Sequence, residues 1–155
     1  MALPRIDTPT YQTTLPSTGE TINYRPFLVK EQKIIMMAEE SQDDNQMIQA
    51  VVDLVGSCTF NKIDLSRSPT FDVEYLFLKV RGKSVGETMN INVICPDDEI
   101  TTTQVQVKVD DIKVDMLEGH TNILQITDSI KMYLRYPSLS DVGNFKNLET
   151  TDGIF

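Results

Sequence analysis

Hydrophobic positions along the chain change period twice. From Tyr11 to Arg25 they alternate. Tyr11, Thr13 and Leu15 fall on one side. After the turn sequence Ser17-Thr18-Gly19-Glu20, Ile22 and Tyr24 face one way and Asn23 and Arg25 the other. A period of two broken by a glycine turn predicts a β-hairpin within residues 1–27. Pro26 ends its ladder because proline has no N–H to donate.

From Leu28 the period lengthens to that of a helix. Leu28, Glu31, Ile35 and Ala38 form one stripe, widened by Phe27, Ile34 and Met37, and predict a helix to about Ser41. The polar break Ser41-Gln42-Asp43-Asp44-Asn45 supplies cap residues for a second helix, from about Asp44 to Ser57. There Met47, Ile48, Val51, Val52, Leu54 and Val55 recur at helical spacing, and Gly56 reads as a C-terminal stop. A third helix opens with Ser68 as N-cap and Pro69 as first residue. Asp72 and Glu74 suit its positive end, and Lys79, Arg81 and Lys83 its negative end. Phe71, Tyr75 and Leu78 line one side, with Val73, Leu76, Phe77 and Val80 on another, so this helix is expected to lie at the centre of a helical core spanning 28–87.

The period returns to two at Thr88. Met89, Ile91 and Val93 alternate with Asn90 and Asn92, and Val105, Val107 and Val109 alternate with Gln104, Gln106 and Lys108. Further strands are expected in Ile112–Met116, around Ile123, and from Ile130 to Tyr136. Together these predict an antiparallel β-meander over 88–137 with one wet face. A polar tail, 138–155, reads as a flexible or docking segment. The fold class is therefore α+β: an N-terminal β-hairpin, about three packed helices, then antiparallel strands.

Charge narrows the chemistry. With 23 acidic and 14 basic residues the net charge is −9, which disfavours nucleic acid as a partner and favours a basic protein surface. No apolar run approaches the roughly 20 residues of a membrane span, so no membrane partner is expected. Cys58 and Cys95 form no disulfide framework and read as free thiols in a reducing compartment.

Catalytic and metal motifs are missing. His120 is the single histidine and stands in a polar turn sequence. Cys95, Asp97, Asp98 and His120 lack metal-ligand spacing, leaving a small metal- or ligand-binding module as the minor alternative. Gly82-Lys83-Ser84 lacks the upstream glycine and strand of a phosphate loop. The expectation is a protein without enzymatic activity and without a cofactor.

Two stretches carry a family resemblance. "MALPRIDTPTYQTTLPSTGETINYRPFLVKEQKIIMMAEES" and "FDVEYLFLKVRGKSVGE" resemble, in order and spacing, the baseplate hub subunits of T-even-like contractile-tailed bacteriophages. The resemblance implies a non-enzymatic late protein that takes part in hub assembly through contacts with other tail or hub proteins, as an assembly chaperone or as a permanent virion component. It implies a place in the host cytoplasm during assembly or in the virion tail baseplate, and homo- or hetero-oligomeric contacts. It also implies a family whose members run beyond Phe155. Aromatic and arginine side chains are common interface anchors. The interaction candidates are accordingly Tyr24, Arg25, Phe27, Lys30, Arg81 and Lys83.

Overall fold

The computed structural model describes residues 8–141. Strands β1 (Tyr11–Thr14) and β2 (Thr21–Tyr24) pair antiparallel, with Tyr11 opposite Tyr24 and Thr13 opposite Ile22. Gly19, at φ +72°, supplies the left-handed turn residue that links them. The inward residues Leu15, Ile22 and Tyr24 are buried, as the alternation predicts.

Three helices follow: α1 (Val29–Ser41), α2 (Asp44–Cys58) and α3 (Thr70–Ser84). Asp43 caps α2 by accepting the Asn45 N–H at 2.9 Å. The centre of the core is α3, where Val73, Leu76 and Val80 are sealed against α2 (Leu54, Val55, Cys58) and the first hairpin. Asp72 is buried too. It accepts the Ser17 N–H at 3.1 Å and the Ser17 hydroxyl, pinning the hairpin turn to the start of α3.

Two local expectations need correction. Gly56 does not stop α2: it is buried inside the helix, and an added Cβ would stand 3.2 Å from Asn61 Oδ1. The chain leaves the helix at Thr59, then Phe60 and Asn61 take left-handed φ values. At α3 the cap position is Pro69, not Ser68, whose hydroxyl donates to the Asp64 carbonyl at 2.9 Å.

Beyond α3 the strands do not form one meander. They form two separate hairpins, β3 (Thr88–Ile94) with β4 (Thr102–Lys108), and β5 (Ile123–Thr127) with β6 (Ile130–Tyr133). Val109 does not continue β4. It turns into a 3₁₀ turn, Val109–Asp111, and buries against α3, so that Ile112–Met116 runs on without strand pairing. The first residues of the predicted tail are anchored: Ser138 is buried and bridges Pro69, and the Thr70 N–H donates to the Pro137 carbonyl at 3.2 Å. The rest of that tail, 142–155, lies outside the described residues.

Candidate protein-interaction surface

Most of the predicted anchors turn inward. Tyr24 is only 3% exposed, with its ring 5.7 Å from that of Tyr11, and burial raises its pKa. Arg25 leaves the end of β2 and reaches the start of α1. Its Nη2 donates to Glu31 Oε1 at 2.8 Å and to Ser57 Oγ at 3.0 Å, while Nη1 donates to the Pro26 carbonyl. Ser57 in turn donates to Glu31 at 2.9 Å, and the Leu28 N–H donates to the same carboxylate. One buried acid thus joins the hairpin, the first turn of α1 and the end of α2. Burial alone would raise the pKa of Glu31, but the hydrogen bonds from Arg25, Leu28 and Ser57 lower it to about 2.

Phe27 is half-buried against the core, and its N–H donates to Ser84 Oγ at 3.0 Å. Arg81 is half-buried, and its Nη1 is buried with no hydrogen-bond partner among the described residues. Lys83 pairs with Glu87 and lies 5.6 Å over the Tyr11 ring. Of the six candidates, Lys30 alone is fully exposed. The structure brings Tyr24, Arg25 and Phe27 together as braces at the hairpin–helix junction and leaves Lys30 beside them in solvent.

Periodicity did not reveal a second junction. Lys79 donates to Asp110 at 3.1 Å, and its ammonium also sits 5.2 Å from the Tyr75 ring centre. That hydrogen bond lowers the pKa of Asp110. Between the two lysines, Gly82 leaves a notch for Val109: a Cβ there would stand 3.2 Å from Val109 Cγ1. The Val109 N–H donates to the Glu87 carbonyl at 2.8 Å. The β3–β4 hairpin is thereby fastened at its base to the C-terminal end of α3.

Away from that base the hairpin is bare. The register puts Met89, Ile91 and Val93 on the same face as Val107, Val105 and Thr103. Ile91, Val93 and Val105 remain 43%, 45% and 41% exposed. In the β5–β6 hairpin, Ile123 and Tyr133 share one face and Leu124 and Met132 share another, and all four are exposed. On α1, Val29, Met36 and Met37 also face solvent. Sequence could have signalled this uncovered surface: by Ser84 all three helices already have a core to cover, and the described residues hold no further helix for the later strands.

A cavity of about 540 Å³ lies where the β5–β6 hairpin meets the first turn, walled by Thr18, Arg67, Pro69, His120, Leu134 and Tyr136. His120 stacks on Tyr136, with Nε2 2.6 Å from the Tyr136 hydroxyl. Arg135 forms an ion pair with Asp141, and the hydrogen bond between them holds the Asp141 carboxyl well below the usual carboxylate range. Among the described residues no three His, Cys, Asp or Glu side chains converge to hold a metal. Cys58 and Cys95 are free, and burial pushes the Cys58 thiol up to about 11. No helix among the described residues is long and apolar enough to cross a membrane.

Residues 8–155 match the family described as T4 bacteriophage base plate protein. The chain belongs to that family. It is a bacteriophage base plate protein, of a family that belongs to the virion tail. No curated protein and no solved structure matches it. For a base plate protein, a braced scaffold that leaves apolar strand faces uncovered is an arrangement suited to joining neighbours.

Proposed function

We propose that this base plate protein works without enzymatic chemistry, taking part in assembly of the base plate hub by binding other tail proteins. The supporting observation is the pair of hairpins whose apolar faces point away from a closed core. Soluble proteins seldom leave contiguous apolar faces uncovered unless a partner covers them. The perturbed acids point the same way: Glu31, Asp110 and Asp141 each hold a basic side chain and brace the scaffold. The protein acts as an assembly factor, meeting its partners in the host cytoplasm before the tail is complete.

Quantitative mass spectrometry of mature particles and of isolated hub intermediates tests this. Presence in intermediates with loss from mature particles is the expected result. A fixed copy number in mature particles would make it a permanent structural component instead. Absence from both would overturn the assembly role altogether.

A further inference from the structure

We propose that the β3–β4 hairpin accepts a third strand: an extended segment of another base plate protein, apolar at alternate positions and carrying lysine or arginine where it passes the hairpin tip. The inference rests on the assembly role above and names the chemistry of the partner at that surface.

Three observations carry it. First, one face carries an apolar row. Ile91, Val93 and Val105 stand exposed along it, while the other side carries the uncharged amides of Asn90, Asn92, Gln104 and Gln106, with Ile94 at the tip end of β3. A strand added at either edge would extend that row with its own alternate side chains.

Second, the edges are undefended. Natural sheets protect an open edge with proline, bulges, inward charges or short strands. Here both strands run seven residues in unbroken register. Neither contains a proline, and the only charge in either is Lys108 at the end of β4. Among the described residues each strand has only the other as its neighbour, so each keeps one edge of backbone donors and acceptors open.

Third, charge selects the occupant. The tip carries Asp97, Asp98 and Glu99 in succession, whereas Asp110 at the base is already paired with Lys79. The net charge of −9 on every chain opposes pairing of two copies. A foreign strand with a basic flank avoids that penalty, and the acids at the tip raise its on-rate.

The test uses the full chain in cells assembling the phage. A photo-crosslinking amino acid replaces Ile91, Val105 or, as a helix control, Met37, and adduct peptides are sequenced by mass spectrometry. Ile91 and Val105 lie opposite each other in the hairpin, so their adducts should fall in the same short segment of another base plate protein, on alternate residues of that segment, with Lys or Arg nearby. The double variant Asp97→Lys/Glu99→Lys spares Asp98, which braces the tip turn by accepting the Ile100 and Thr101 N–H groups. It should cut the Val105 adduct yield at least fivefold while the thermal midpoint of the purified protein stays unchanged.

Adducts between two copies, adducts at helical spacing in a partner, or a yield indifferent to charge reversal would each overturn the proposal. Adducts from Met37 alone would overturn the third strand and leave the assembly role standing. No adduct from any position, together with absence from hub intermediates, would remove both.

Discussion

Leu76 and Val80 on α3 are sealed from solvent, whereas Ile91 and Val105, further along the chain, stand nearly half exposed. Both regions have regular apolar periodicity. They differ in layers. The hairpin and three helices before Thr88 are enough layers to close a core around α3, although Val29, Met36 and Met37 on α1 stay exposed. From Thr88 on, the strands come as two isolated pairs with no layer above them among the described residues. A lone two-stranded hairpin is marginal in water, so in this chain the hairpins depend on their fastening at the base and on whatever covers them. Apolar patterning therefore specifies a face to be buried, but not that the same chain will bury it.

The sharpest way to break this contrast is to cut into both regions. Leu76→Ala should cost about 2–5 kcal/mol in chemical denaturation, through lost burial plus the cavity left behind. Leu124→Ala, at a position 51% exposed, should stay within about 0.5 kcal/mol. A cost for Leu124→Ala approaching that of Leu76→Ala would show that the hairpins are packed in solution and end the comparison.

Next in size is the Arg25–Glu31 tie. Arg25→Ala leaves a buried carboxylate with only the exposed Lys30 ammonium, 3.8 Å away, and should cost about 3 kcal/mol. Glu31 titrates near 2 in the fold against an ordinary 4.5. Its contribution is therefore complete above about pH 4.5 and disappears as the pH falls toward 2. Stability measured from pH 6 down to pH 2 should decline through that window in the parent chain and decline less in Glu31→Gln.

Smaller still, Val109→Ala removes two buried methyl groups and should cost about 1.5 kcal/mol. It should also loosen β3 and β4 more than α3, a difference that amide hydrogen exchange resolves. At the low end, Ile91→Thr should change the stability of the isolated protein by less than about 0.5 kcal/mol while reducing its incorporation into hub intermediates. A loss of fold with Ile91→Thr would sharpen the comparison in the other direction, by showing that the bare face already has a contact within the chain.

Much of this architecture was legible in the residues. The alternation through Tyr11, Thr13, Ile22 and Tyr24 gives the first hairpin its register, and the helical periods place α1, α2 and α3 within about a residue of their observed starts. What escaped were features set by tertiary neighbours. Gly56 looks like a helix stop because glycine often ends helices, yet here it is small so that Asn61 and Leu65 can approach. Val109 continues the period of Val105 and Val107, but Gly82 opens a notch that draws it out of the strand. Tyr24 and Arg25 have the composition of interface anchors, and local sequence does not disclose that Glu31 and Ser57 wait beside Arg25. The bare hairpin faces were legible in a different way, from the three helices being already committed to the core before Thr88.

The notch at Gly82 also makes the β3–β4 hairpin a lever. Seven residues of antiparallel strand extend about 24 Å, with the pivot where Val109 seats against the helix. A tilt of about 10° at that seat would swing the far end by about 4 Å, close to the spacing of neighbouring strands. One methyl group added at Gly82 acts at the short arm of this lever, and its consequence would be felt at Asp97 rather than where it was placed.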